Sequence, residues 1–391
     1  MLRPARKDVR SERTASALAE AGFAVSLIDV DSEAPSHEKH IPGIYLDHII
    51  MPNWFTSRRF QPWFFLVAIR VFILSIVRLF RSQADIYHAH DLTALPASYI
   101  VAKLRHKPLI FETYELHLPV PETGIAFWRP LGGLLMRLLA VILPRCQGII
   151  AASPLYAQEF SKRYHLSEVV TLRNILAYRA VEKSDRLRQY LGLSPKARIA
   201  LYQGSIQCDR GLELLVQAAS YLEPDTVIVM MGPSYGTTQA ELEALIVSEG
   251  VAERVKIIPP VSYEELLEWT ASADIGLTIF PLDYSLSILM TQPNKLFEYL
   301  MAGVPVLSSQ LPAIVEVIKT YDVGQIVPSF EPEAIGRTIN AMLADDTALH
   351  RMSHNALEAA KNDLNWEKER LPLLRLYEDI GAKLEKKQRR K

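Results

Sequence analysis

Ten short apolar runs, each closing on a polar loop, restrict this chain to very few folds. The first set lies at 24–30 (AVSLIDV), 84–90 (ADIYHAH), 108–112 (PLIFE) and 148–152 (GIIAA). The pattern restarts at 198–204 (RIALYQG) and continues at 226–232, 255–259, 275–280, 304–308 and 323–327. Stretches of helical periodicity lie between them, Gly211–Leu222 and Tyr263–Ala273 among them. That alternation builds βαβ units around a parallel sheet. The polar segment 176–196 interrupts it, and from Pro332 to about Lys383 the chain reads as charged helix without strands. At 391 residues the chain exceeds one ordinary core. The expected division is an α/β domain over 1–185, a second over 186–365, and a C-terminal helix over 366–391 that crosses back towards the first.

The beginning does not fit a complete domain of this kind. A doubly wound domain opens with a strand that lies in the middle of its sheet. Here a helix over Ser11–Ala21 comes almost at once, so 24–30 reads as the second strand. Residues 1–10 (MLRPARKDVR) hold a proline and several charges and make a poor strand. Loss of a central strand would leave its neighbours with unpaired backbone groups. The expectation is a first strand encoded upstream of Met1.

Composition narrows the function classes. A net charge of −1 argues against a dedicated nucleic-acid binder, which carries a basic excess. Two cysteines, Cys146 and Cys208, make neither a disulfide framework nor a metal cluster and fit a reduced, cytosolic compartment. The N-terminus has no apolar core of a signal peptide.

The stretch PNKLFEYLMAGVPVL, 293–307, points to a ligand. Pro293 suits the first position of a helix, Gly303 its left-handed end, and Pro305 its stop. Val304–Leu307 then reads as a buried strand. A polar loop over Ser285–Gln292 leads in, so the amide end of the helix faces whatever that loop encloses, a ready anion site. Glu298 sits one turn inside, behind Lys295. A carboxylate behind an anion site suits a ligand with phosphates at one end and sugar hydroxyls at the other.

With these residues in view, the chain resembles the GT-B glycosyltransferases, specifically glycosyltransferase family 4. The motifs are PNKLFEYLMAGVPV, the series ALYQGSIQCDRGLELLVQAA … TVIVMMGP … YEELLEWTASADIGLTIFP, and the strand-end loops HAHD (88–91) and FETYELH (111–117). The resemblance implies two Rossmann-like domains facing a cleft, with the nucleotide sugar on the C-terminal one and the acceptor side on the N-terminal one. Glu298 would match the second acid of the family's Glu pair and bind the donor ribose; the first would fall at Met290. The amides of Asn294 and Lys295 would meet the distal phosphate or sugar. Arg210 would neutralise the leaving diphosphate, and Gly204, Ser205 and Gly232 would line the same site, Ser205 standing where the family carries an Arg. Tyr114 occupies the slot of a family His, with Glu115 and His117 beside it. His90 and Asp91 end the preceding strand. The implied reaction is sugar transfer from a nucleoside diphosphate with retention, with no metal, because no acidic cluster is apparent.

Two apolar segments extend this reading. Segment 62–80 is long enough to span a bilayer. Arg70 in its middle costs ~2.5–3.5 kcal/mol on insertion scales. Arg70, Arg78 and Arg81 share one arc, which fits either a helix packed on the sheet with a solvated edge or a basic helix on an anionic membrane. Segment 127–145, with Arg129, Arg137 and Arg145, is similar. The resulting expectation is a cytoplasmic enzyme, peripheral at the inner face of the membrane, acting on a glycan or lipid-linked acceptor. The competing readings are a nucleotide-sugar epimerase and a non-catalytic GT-B scaffold subunit. Asp29 and Asp31 follow an early strand as the ribose acid of dehydrogenases does, but no G-x-G-x-x-G precedes them.

Overall fold

All ten apolar runs form parallel strands, with ends shifted by one to three residues. The protein was studied as a computed structural model that describes residues 8–31, 43–51, 64–115, 129–281 and 286–389. Met1–Lys7, His117 and Ser285, singled out above, lie outside them, as does the side chain of Arg129. The chain divides into two units, Met1–Arg173 with Arg370–Lys391, and Asn174–Glu369.

In the first unit the order is α1 (Val9–Glu20), β1 (Val25–Asp31), β2 (Ile44–Ile50), α2 (Phe64–Ser82), β3 (Tyr87–His90), α3 (Asp91–Leu104), β4 (Leu109–Thr113), α4 (Arg129–Ile142), β5 (Gly148–Ala151), α5 (Pro154–Tyr164) and β6 (Val170–Thr171). Strands β1 and β2 form one parallel pair, and β3-β4-β5-β6 a separate parallel sheet. Asp8 caps α1 by accepting from the amides of Arg10 and Ser11. Of the two aspartates of the early strand, Asp29 is accounted for locally, its Oδ1 lying 2.5 Å from His48 Nδ1.

The second unit contains α6 (Arg186–Leu191), β7 (Arg198–Gln203), α7 (Leu212–Ala218), β8 (Thr226–Met231), α8 (Thr238–Ser248), β9 (Val255–Ile258), α9 (Leu266–Thr270), β10 (Ile275–Thr278), α10 (Leu286–Met290), α11 (Asn294–Met301), β11 (Val306–Ser308), α12 (Pro312–Tyr321) and β12 (Gly324–Ile326). Helices α13 (Pro332–Ala344), α14 (Asp346–Asn362) and α15 (Trp366–Glu369) follow, and α16 (Leu371–Gln388) belongs to the first unit. The second unit's six parallel strands run β12-β11-β10-β7-β8-β9, and the four inner ones are buried almost throughout, as expected of a sheet with both faces covered. Both units are therefore Rossmann-like α/β layers, with a helical C-terminal section.

Three local expectations need correction. Pro293 is the N-cap of α11, not its first residue, because its ψ of 150° is extended. Part of the supposed loop before it is the short helix α10. The exposed side of α2 is not a charged edge. Val67 and Val71 are buried, yet Leu66, Ile69, Ile73, Val77 and Phe80 face outward beside Arg70 and Arg81, and Arg78 is paired with Asp47 at 2.9 Å. No helix among the described residues is long and apolar enough to cross a membrane.

Where β7 and β10 part, one side chain replaces the ladder. The two strands pair only at Ala200–Ile275 and Leu201–Gly276. Beyond that point the Tyr299 hydroxyl donates to Leu201 C=O at 2.8 Å and accepts from the Gln203 amide at 3.0 Å. Its ring lies on Gly276, where an added Cβ would come within 2.5 Å of it. Tyr299→Phe should therefore lower stability by about 1–3 kcal/mol, read as a reduced denaturant midpoint at unchanged m-value. Stability equal to the parent protein would show that the hydroxyl is dispensable.

Candidate active site

Strand β7 is the point at which the second sheet reverses direction. The chain runs outward from it through β8 and β9, then returns to its other side with β10, β11 and β12. In such sheets ligands bind beyond the carboxyl ends of the strands at the switch point. Two backbone turns meet there. An added Cβ on Gly232 would lie 1.9 Å from the carbonyl oxygen of Gly204, so the turn after β8 touches the turn after β7 backbone to backbone.

Helix α11 brings two sequence-predicted residues to this place. Glu298 is half-buried, and its carboxylate accepts from the side-chain amide of Gln203. Gln203 in turn accepts from the Thr270 hydroxyl at 2.7 Å, so the acid is held by a chain running back to α9. Lys295 is 8% exposed. Its ammonium lies 3.5 Å from the Tyr202 ring centroid and 5.2 Å from that of Phe280, and it has no hydrogen-bond partner among the described residues. Burial holds its pKa well below the ordinary lysine value, aided by Arg210 and opposed by Glu298. The guanidinium of Arg210 stands 5.7 Å from the same Phe280 ring. Two cations thus share one aromatic wall. Gly204 lies beside them, its added Cβ 3.3 Å from Lys295 Nζ.

The remaining predicted positions in this unit flank that core. The Ser205 carbonyl accepts from the Tyr202 hydroxyl at 2.9 Å, whose pKa burial pushes up to about 12. Asn294 is exposed and accepts from Asn174 at 2.9 Å. Met290 ends α10.

The first unit holds a second polar cluster. His88 and His90 alternate onto one face of β3 with their rings stacked, centroids 4.2 Å apart. The buried Glu112 of β4 sits between them, Oε2 being 3.2 Å from His88 Nε2 and 3.4 Å from His90 Nδ1. Its other oxygen accepts from Arg10 Nε at 2.6 Å. The Tyr114 hydroxyl lies 2.8 Å from His90 Nδ1 and 3.0 Å from the Ser11 hydroxyl, and the Tyr377 hydroxyl of α16 2.8 Å from His88 Nδ1. Asp91 begins α3 with φ at 67°, a conformation few non-glycine residues adopt. Glu115 is exposed and lies outside this cluster.

Sequence reasoning named Glu115 and passed over Glu112 and Gln203. Strand alternation carries the missing signal: in FETYE, Glu112 and Tyr114 share a face while Glu115 starts the next loop. Among the described residues His88, His90 and Glu112 are also a geometric candidate for a cation, their ligand atoms all within 4.8 Å of one another. The guanidinium already bound to Glu112 opposes further positive charge there.

Burial, with the neighbouring His88, lowers the His90 pKa from 6.5 to about 3, Glu112 opposing. For Glu112 itself burial acts upwards, but Arg10, with His88 and His90 beside it, prevails and holds its carboxyl below the usual range. As pH falls from 6.5 towards about 3, the unfolded chain takes up a proton at His90 that the folded chain refuses. Stability should then decline by up to ~1.4 kcal/mol per pH unit across that window. Denaturant midpoints between these pH values should show the slope, and His90→Gln should flatten it. An equal slope in both proteins would assign the acid sensitivity elsewhere.

The chain is similar to known proteins along most of its length. The model of "Glycosyltransferase Family 4" matches residues 9–175, and that of "Glycosyl transferases group 1" matches 183–359. A D-inositol 3-phosphate glycosyltransferase of Xylanimonas cellulosilytica is 29% identical over 198 residues, taking in 49% of this chain and 44% of that protein. The chain thus spans less than half the length of that relative. Among solved structures, sucrose-phosphate synthase from Thermosynechococcus elongatus superposes with a TM-score of 0.73 at 17% identity, over 95% of this chain and 92% of that one. An Anabaena protein crystallised with UDP and glucose gives 0.65 at 16% identity, over 95% and 94%. At such identities the structures speak for the fold alone, whereas the two family models together run from the first helix to α14, so the chain belongs to glycosyltransferase family 4 and has the GT-B fold.

Proposed function

We propose that this protein transfers a sugar from a nucleoside diphosphate sugar to a glycan or lipid-linked acceptor, with retention at the anomeric carbon. The observation that carries the reading is the buried Lys295 ammonium, unbonded among the described residues and set beside the amide end of α11. A buried cation without an acceptor is costly unless an anion joins it. A diphosphate would meet Lys295, Arg210 and the positive end of the helix together, and charge on the departing phosphate would be stabilised there. Glu298, held by Gln203, offers paired acceptors to a ribose diol one turn away. UDP in the Anabaena protein supports a uridine donor. His90, Asp91 and Tyr114 are assigned to the acceptor side.

A lipid-linked acceptor is favoured by one further observation. The outward stripe Leu66, Ile69, Ile73, Val77 and Phe80, with Arg70 and Arg81 exposed beside it, is complementary to an anionic membrane surface such as the inner leaflet. Helix α4 also exposes Leu138 and Val141. Co-sedimentation with vesicles containing anionic lipid should exceed that with neutral vesicles, and Ile69→Glu with Ile73→Glu should abolish the difference. Indifference to lipid charge would sink the membrane assignment.

A thermal-shift screen of nucleoside diphosphates tests the donor site, since a ligand at a hundred times its Kd adds about 2.7 kcal/mol. Glu298→Gln should lower transfer roughly ten- to a hundred-fold, the scale of one charged hydrogen bond, with the melting temperature unchanged. Full activity in that variant would refute the ribose role. Release of nucleotide with an epimerised sugar would point to an epimerase, and binding without turnover to a scaffold subunit.

Proton linkage gives a sharper readout. The free Lys295 has a depressed pKa, and a diphosphate beside it raises that pKa by favouring the charged form. Between the two values, binding takes up a proton and affinity falls as pH rises. Calorimetry in buffers of different ionisation enthalpy should detect the uptake, and Lys295→Met should remove it. Uptake unchanged in that variant would exclude Lys295 as the group that receives the proton.

A further inference from the structure

Two histidines stand one turn apart on the outer face of α14, in the run His350-Arg351-Met352-Ser353-His354. Residues four positions apart lie one above the other on a helix, with Cβ atoms about 5–6 Å from each other. Each ring can then direct one nitrogen to a common point, which is how paired histidines on a helix hold zinc. Both side chains are exposed, and neither has a hydrogen-bond or ion-pair partner among the described residues.

The helix is a firm support for such a pair. Asp345 caps it, accepting from the Ala348 amide at 2.9 Å. Its inner face buries Leu349, Met352, Ala356, Ala359 and Ala360. Between the two histidines, Ser353 donates its hydroxyl to the Gly303 carbonyl at 2.7 Å, just past the end of α11. Arg351, the nearest cation in sequence, is turned to Asp322, its Nε 2.8 Å from Oδ2. The stripe continues with a carboxylate at each end. Asp346, one turn before His350, is already paired with Arg198. Glu358, one turn after His354, accepts a neutral amide proton from Asn362 at 3.0 Å, so its charge still favours a cation nearby.

We propose that His350 and His354 together bind one divalent ion of the imidazole-preferring class, Zn²⁺, Ni²⁺ or Cu²⁺, on the surface of the second unit. Imidazole suits these ions, whereas Mg²⁺ and Ca²⁺ take oxygen ligands. The second imidazole closes on an ion already held by the first, so it acts at a high effective concentration. Arg351 occupies the place where a hydrolytic zinc helix has its glutamate. The site therefore binds without hydrolysing. Because Ser353 of the same turn holds the end of α11, an ion here clips the part of α14 that closes that helix. It stabilises the folded chain, since the unfolded one does not hold the two imidazoles together.

Calorimetric titration of the untagged full chain with Ni²⁺ tests this, alongside His350→Ala, His354→Ala and the exchange His354→Asn with Asn355→His. The exchange keeps the number of histidines but turns the second about 100° away from the first. The parent chain should bind Ni²⁺ with an affinity roughly ten-fold or more above that of all three variants. It should also melt a few degrees higher with Ni²⁺ or Zn²⁺ than with Mg²⁺, and the variants should lose that difference. Equal affinity in the parent and the exchange variant, or a loss in only one of the single variants, would overturn the pairing. So would a response to Mg²⁺ as large as that to Ni²⁺, which would mark a carboxylate site instead.

Discussion

The second unit depends on a tyrosine hydroxyl lodged where two parallel strands separate. Parallel strands that diverge leave amides and carbonyls without partners, and buried groups of that kind cost too much to leave unsatisfied. Tyr299 answers the Leu201 carbonyl and the Gln203 amide at once, while its ring needs the bare backbone of Gly276 beneath it. That contact fixes how far α11 approaches β7. Its neighbours in sequence inherit their positions: Glu298 reaches the side chain of Gln203, and Lys295, one turn earlier, reaches the ring of Tyr202. A single structural bond therefore orients the whole proposed donor site.

The two units treat buried charge in opposite ways. In the first, Glu112 is paired: a guanidinium bonds one oxygen and two imidazoles stand within 3.4 Å of the other. The second keeps a lysine against aromatic faces, without a hydrogen-bond acceptor among the described residues. The carboxylate has its charge answered within the core, whereas an uncompensated cation favours any anion that arrives. The division sets a charge-paired cluster in one unit against a cation open to a ligand in the other.

Most of the fold was legible because parallel strands buried on both faces leave unbroken apolar runs. Strand β2 was not, since IYLDHII places Asp47 and His48 in its middle and only one of its faces needs to be apolar. Strand β6 has two residues and offers no period to read. Within the candidate sites, Glu298 and Lys295 were singled out by their setting in one stretch, and Arg210 by the family resemblance. Gln203 and Glu112 were missed because each closes or interrupts an apolar strand, where a polar residue looks like a boundary. What aims them is the partner strand or helix, Glu298 for one and His88 with His90 for the other, and such partners lie far away in sequence.

The left-handed backbone of Asp91 sets stability against chemistry at the end of β3. An L-residue held at positive φ costs on the order of 1 kcal/mol relative to glycine, which has no Cβ to clash. Glycine would relax this junction and delete a carboxylate beside His90. A selection for thermal robustness alone would drift towards that change, so libraries screened only for heat resistance would erase this corner of the first unit before they touched the rest of it.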